Sequence, residues 1–60
     1  MRRMLHVKFG NMHFQKLIDR SFENIKVRAN ELGLSFRSVT DHTITVHASS
    51  LNAFYRAKQF

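Results

Sequence analysis

The sequence predicts a small α+β domain with the element order β-α-β-β-α, in which two helices cover one face of a three-stranded antiparallel sheet. Apolar and polar residues alternate within residues 4–9, 34–36 and 43–48, a pattern typical of half-buried strands. Apolar residues recur with the helical period through residues 12–32, and a shorter helical pattern spans residues 50–60. These observations together predict the fold class.

Length and composition limit what such a chain can be. Sixty residues form at most one domain, residues 1–60, in which we expect residues 1–3 to be a flexible basic tail. A domain of this size buries only roughly 60% of the surface its unfolded chain exposes. The chain has no cysteine, which excludes disulfides, thiolate metal sites and thiol catalysis. Neither a secretory signal nor an apolar segment of ~20 residues is present, so we expect a soluble, cytoplasmic protein.

The first strand and the long helix follow from their apolar patterns. Leu5, Val7 and Phe9 alternate with polar or longer side chains, and Gly10-Asn11 ends this strand. Asn11 is a suitable N-cap for the helix over residues 12–32, and Gly33 is a suitable C-cap. The predicted core combines this helix with the other elements and comprises Leu5, Val7, Phe9, Phe14, Leu17, Ile18, Phe22, Ile25, Ala29, Leu32, Leu34, Phe36, Ile44, Val46, Leu51 and Phe54.

The second and third strands form a predicted hairpin. Burying both apolar sets on one side requires Phe36 opposite Val46 and Leu34 opposite Ala48. That register leaves residues 40–42 as a three-residue loop, in which His42 is expected to tolerate a positive φ. The β-branched run at residues 43–46 suits a central strand, which gives the strand order 1-3-2. This is a split βαβ unit, a truncated ferredoxin-like topology, and it leaves the edge of the first strand free for a homodimer.

The charge of the chain points to an anionic partner. Ten Lys and Arg against four Asp and Glu give a formal net charge of +6, and proteins this basic associate readily with nucleic acid or acidic protein surfaces. The predicted sheet leaves one face without a helix, and such faces bind single-stranded nucleic acid, so RNA is favoured over DNA. The candidate nucleic-acid-binding residues are Arg2, Arg3, His6, Lys8, Arg37 and His47.

Other functions receive less support from the residues. A protein-binding regulator, such as an inhibitor or antitoxin-like protein, is the main alternative, and its candidate contacts are Tyr55, Arg56, Lys58 and Phe60. No histidine spacing matches a metal site, and His13 is expected at the helix start, so no metal, cofactor or catalytic residue is predicted. A metal-independent ribonuclease is the one enzyme class left open, because two histidines with a Lys or Arg can perform acid–base chemistry on RNA.

Overall fold

A computed structural model describes residues 2–60 of the chain. The chain has six elements, β1 (Arg2–Phe9), β2 (Met12–Asp19), α1 (Phe22–Leu32), β3 (Leu34–Val39), β4 (Thr43–Ala48) and α2 (Leu51–Ala57). The strands form one mixed sheet in the order β2-β1-β4-β3. Both helices pack on the same side of this sheet, α1 against β3 and α2 against β1 and β4. The α+β class, the two helices and a sheet bare on its other side agree with the sequence prediction, whereas the strand count does not.

The region predicted as one helix over residues 12–32 is a strand followed by a shorter helix. Gly10 has φ +58° and Asn11 has no positive φ, which matches a two-residue type II′ turn with glycine first. This turn joins β1 and β2 into an antiparallel hairpin that pairs Phe9 with Met12 and Arg2 with Asp19. Asn11 is therefore a hairpin residue, and the N-cap of α1 is Ser21, whose Oγ accepts from the Asn24 N–H at 3.2 Å.

The extra strand also changes the direction of the strands that follow. Helix α1 starts from β2, which runs antiparallel to β1, and the helical connection brings β3 back parallel to β2. As a result β4 runs parallel to β1 and antiparallel to β3. The predicted second and third strands are β3 and β4, so the predicted strand order 1-3-2 is present as β1-β4-β3. The sheet is mixed, however, and the element order β-β-α-β-β-α differs from that of a truncated ferredoxin-like fold.

Both edges of β1 are paired, to β2 on one side and to β4 on the other. The predicted homodimer through the edge of the first strand therefore does not fit this fold. The residues predicted as a tail also change place, because Arg2 and Arg3 belong to β1, while Met1 lies outside the described residues.

The β3–β4 hairpin confirms the predicted register, with Phe36 opposite Val46 and Leu34 opposite Ala48. The loop spans residues 40–42 as predicted, but no residue in it has a positive φ. Thr40 closes the loop instead, because its backbone N–H donates to the Thr43 carbonyl at 2.8 Å and its Oγ1 accepts from the Thr43 N–H at 3.0 Å.

Capping residues fix the C-terminal end of α1 and the N-terminal end of α2. Gly33 ends α1 with φ +78°, as its predicted role as C-cap requires. A Cβ at this position would lie 2.8 Å from Ser49 Oγ, so the glycine also makes room for the chain entering α2. Ser50 caps α2, accepting from the Ala53 N–H at 3.1 Å.

The core lies between the sheet and the two helices. It comprises Leu5, Val7, Ile18, Ile25, Ala29, Leu32, Leu34, Ile44, Val46, Ala48, Ala53, Phe54, Ala57 and Phe60, with Phe9, Phe14, Phe22 and Phe36 packed partly buried around it. Leu17 and Leu51 were expected in this core but are 50% and 44% exposed. Within residues 2–60 no helix is long and apolar enough to cross a bilayer.

Candidate nucleic-acid interface

The side of the sheet opposite the helices is the candidate site, and we call it the open face. Side chains alternate between the two sides of a strand, and paired residues share a side, so the register defines its members. They are Arg2, Met4, His6 and Lys8 of β1, His13, Gln15, Leu17 and Asp19 of β2, Thr43, Thr45 and His47 of β4, and Ser35, Arg37 and Ser38 of β3. All of them are half-buried or exposed, because both helices pack on the other side of the sheet.

A β-bulge in β3 modifies the edge of the open face. The register passes from Phe36 opposite Val46 directly to Ser38 opposite Thr45, so Arg37 is the additional residue. Arg37 and Ser38 together oppose Thr45, a residue of the open face. Without the bulge, alternation from Arg37 would place Val39 on this face as well; Val39 pairs instead with the buried Ile44 and so belongs to the helix side, where it is 48% exposed.

The pairing places the open-face residues in rows across the sheet. One row runs His13, Lys8, His47, Ser35 from β2 to β3, and the next runs Gln15, His6, Thr45, Ser38. His6 is therefore a diagonal neighbour of His47 and not its direct partner. The ring of Phe9 contacts the ring of His47, with centroids 6.4 Å apart, at the end of the sheet nearest the β1–β2 turn.

Of the predicted nucleic-acid-binding residues, the structure places Arg2, His6, Lys8, Arg37 and His47 on the open face, with Arg2 and Lys8 at opposite ends of β1. Arg3 does not join them, because it is the neighbour of Arg2 in β1 and points to the helix side. Its guanidinium lies 5.9 Å from the centre of the Phe22 ring and Nη1 donates to the Arg20 carbonyl at 3.5 Å. Removing Arg3 from the site is a correction to the sequence prediction.

Most Lys and Arg side chains on the helix side contact other parts of the chain. Lys16 Nζ donates to the Lys58 carbonyl at 2.7 Å, and the guanidinium of Arg28 pairs with Glu31 at 3.4 Å. Arg20 lies 5.6 Å from the centre of the Phe60 ring, and Lys26 lies 5.8 Å from that of Phe22. Within residues 2–60, the Lys and Arg side chains without a hydrogen bond, ion pair or aromatic contact are those of Arg2, Lys8, Arg37 and Arg56, and three of these four belong to the open face.

The residues predicted to bind a protein lie at α2 and do not form one exposed set. Tyr55 is 51% exposed and Arg56 is exposed. Lys58 lies over three rings, with its Nζ 5.7, 5.6 and 5.2 Å from the centres of Phe14, Phe54 and Tyr55. Phe60 is only 7% exposed and closes the core. Phe60 therefore does not belong to an accessible surface, which corrects that part of the prediction.

Two shallow depressions lie away from the open face. One lies between α1 and β3 and is lined by Glu23, Lys26, Val27, Asn30, Leu34 and Phe36. The other surrounds the β3–β4 loop and is lined by Arg3, Val39, Thr40, Asp41 and His42. Within the part of the chain that the structure describes, no three His, Asp or Glu side chains come close enough together to hold a metal ion. Neither depression includes a residue of the open face.

Sequence reasoning missed His13 and Gln15 as members of this face. The signal that could have found them is Gly10-Asn11, since a Gly-Asn pair between two alternating segments is typical of a two-residue hairpin. A helix that begins after Asn11 instead predicts His13 at the helix start, away from the sheet.

The fold and the site define a small α+β protein with a mixed four-stranded sheet, two helices on one side and a cationic open face on the other. Comparisons with models of protein families, with curated proteins and with solved structures found no match to this chain.

Proposed function

We propose that this chain binds nucleic acid, RNA in preference to DNA, through the open face. One observation carries the proposal: Arg2, Lys8 and Arg37 lie on this face without side-chain partners among residues 2–60, whereas most Lys and Arg side chains of the helix side contact other residues. Exposed cations without internal partners are free to contact phosphates, and phosphate contacts supply most of the affinity of nonspecific nucleic-acid binding. Binding of this kind requires no chemical step. We expect this binding to take place in the cytoplasm.

The ring side chains on the open face support a single-stranded ligand. His6, His13 and His47 are its ring-bearing residues, since Phe9, Phe14, Phe22 and Phe36 pack against the core. Unpaired bases can stack on histidine rings, and a flat sheet suits the splayed bases of a single strand better than the groove of a duplex. The 2′-hydroxyl adds a hydrogen-bonding group that distinguishes RNA, and Thr45, Ser35 and Ser38 offer hydroxyl partners on the same face.

The proposal is tested by titrating a fluorescent single-stranded RNA of mixed sequence at 50 and 200 mM salt. With three phosphate contacts on a single strand, affinity should fall about 20-fold between these concentrations. The double variant Lys8→Gln/Arg37→Gln leaves one of these contacts, so its affinity should be lower at 50 mM and should fall only about threefold over the same range.

A matched control removes the same number of charges from the helix side. Lys26→Gln/Arg28→Gln lies on α1, so it should bind RNA with an affinity and a salt dependence close to those of the unmodified chain. Equal weakening by both double variants would mean that net charge alone, and not the open face, attracts the RNA. Unchanged binding by Lys8→Gln/Arg37→Gln would contradict the proposal.

A protein-binding regulator remains the second candidate, and the exposure of α2 favours it. Leu51 and Tyr55 are 44% and 51% exposed and lie one helical turn apart, and Arg56, which follows Tyr55 in the chain, is also exposed. Tyrosine and arginine are frequent at the centres of protein interfaces. This alternative predicts that the RNA titration shows no binding and that substitutions on the open face have no effect on function.

A further inference from the structure

Three residues that could handle protons and phosphate lie side by side across the open face. His13 of β2 pairs with Lys8 of β1, and Lys8 pairs with His47 of β4. Neighbouring strands lie about 4.8 Å apart, so the Cα atoms of the two histidines are separated by roughly 10 Å with the lysine between them. We call these three residues the cross-strand row.

The side chains of the cross-strand row are free to act on a ligand. Within the described residues none of the three makes a hydrogen bond or an ion pair. His13 and Lys8 are exposed, and His47 is half-buried with its ring against Phe9. The His13 and Lys8 side chains are therefore accessible to a ligand, and the His47 side chain, which lies next to the Phe9 ring, is accessible in part.

We propose that the cross-strand row cleaves single-stranded RNA by metal-independent transphosphorylation, an inference that depends on the RNA binding proposed above. One imidazole, in its neutral form, takes the proton of a ribose 2′-hydroxyl as O2′ forms a bond to phosphorus. The P–O5′ bond breaks, and the other imidazole, in its protonated form, gives its proton to O5′. The products are a 2′,3′-cyclic phosphate and a 5′-hydroxyl, and no water, metal or cofactor is consumed.

The arrangement of the row matches what this reaction demands. In an in-line displacement the attacking and leaving oxygens lie on opposite sides of phosphorus, so the base and the acid must also stand on opposite sides. Each must come within about 2.6–3.2 Å of its oxygen, which requires two histidines separated by a phosphate group and two hydrogen bonds. Lys8 lies between them, where its ammonium would neutralise charge that develops on the other phosphate oxygens.

The experiment incubates the chain with an all-ribose oligonucleotide in excess EDTA and identifies the ends of the products by mass spectrometry. Fragments ending in a 2′,3′-cyclic phosphate are expected. His13→Gln and His47→Gln should each lower the cleavage rate by about 10²- to 10⁴-fold. His42→Gln is the matched control, because His42 lies in the β3–β4 loop and not in the row, and it should cleave at the rate of the unmodified chain.

The same preparations separate this inference from the proposed function. An oligonucleotide with a 2′-deoxyribose at every position cannot be cleaved by this route, so it must remain intact. Binding of RNA without any cleavage, or cleavage that persists in His13→Gln/His47→Gln, would overturn the inference while leaving the proposed RNA binding in place. Absence of RNA binding by the unmodified chain would overturn both.

Discussion

Arg2 and Arg3 are adjacent in the chain and have opposite surroundings. Arg2 is exposed on the open face, whereas Arg3 is half-buried on the helix side and contacts the Phe22 ring and the Arg20 carbonyl. The period of two along a strand accounts for this difference, because neighbouring side chains leave β1 on opposite sides. The two arginines contribute equally to the net charge, but only Arg2 places its charge on the open face.

This pair gives a prediction that controls for residue type and charge. Arg2→Gln should weaken RNA binding and reduce the salt dependence of log K by about 0.7, the value for one phosphate contact on a single strand. Arg3→Gln should leave the salt dependence unchanged, because its charge is directed toward the helix side. Both are measured by the RNA titration at several salt concentrations, and a larger effect of Arg3→Gln than of Arg2→Gln would remove Arg2 from the interface.

At the scale of elements, the composition of the open face depends on β2 being a strand. It contributes His13, Gln15, Leu17 and Asp19 to this face. Its helix-side row contains Phe14 and Ile18 but also Lys16, whose Nζ reaches the Lys58 carbonyl at 2.7 Å. A lysine in the inward row interrupts the apolar alternation, and the adjacent pair Leu17-Ile18 satisfies a helical period as well, so the local pattern favoured a helix.

Leu17 and Ile18 distinguish the strand from a helix experimentally. A helix would bury both side chains, whereas in β2 Leu17 is 50% exposed and Ile18 is 4% exposed. Ile18→Ala should therefore lower the free energy of unfolding by about 2–5 kcal/mol, the usual range for a buried isoleucine, and Leu17→Ala by about 0.5 kcal/mol or less. Urea denaturation of the two variants measures both values, and similar losses in the two would contradict the assignment of β2.

At the scale of the whole molecule, the core is small and is closed by residues near both ends of the chain. Leu5 of β1 is 1% exposed, and Ala57 and Phe60 at the other end are 0% and 7% exposed. Phe60 also receives the Arg20 guanidinium at 5.6 Å from its ring centre. A domain of this size has only about 5 kcal/mol of stability in total, so each large apolar contact is a substantial fraction of it.

Phe60→Ala is the corresponding prediction for the whole fold. Truncation of a buried phenylalanine costs on the order of 3–5 kcal/mol, which approaches the whole stability of a small domain. We expect the variant to lose its cooperative thermal transition or to melt far below the unmodified chain, as followed by circular dichroism. Tyr55→Ala is the control, because Tyr55 is 51% exposed, and it should retain the transition. A Phe60→Ala variant as stable as Tyr55→Ala would show that Phe60 does not close the core.

The sequence by itself determined the elements whose local signals agree with their surroundings. The alternation in residues 43–48, the register that pairs Phe36 with Val46 and the glycine that ends α1 are all local patterns, and the structure has them. Alternation and strand order alone likewise assign His6, Lys8, Arg37 and His47 to a common bare face, whereas Arg2 was expected in a flexible tail and joins this face only because β1 begins at Arg2.

Only the tertiary structure decided the identity of residues 12–19, because a strand of this kind is stabilised by its partner. Along β2, pairing with β1 and burial of Ile18 in the core outweigh a local pattern that fits a helix. Once β2 is a strand, β1 becomes an inner strand, β4 runs parallel to it, and His13 stands beside Lys8 on the open face. The bulge at Arg37 has the same origin, since it depends on how β3 meets β4 and not on the residues of β3 alone.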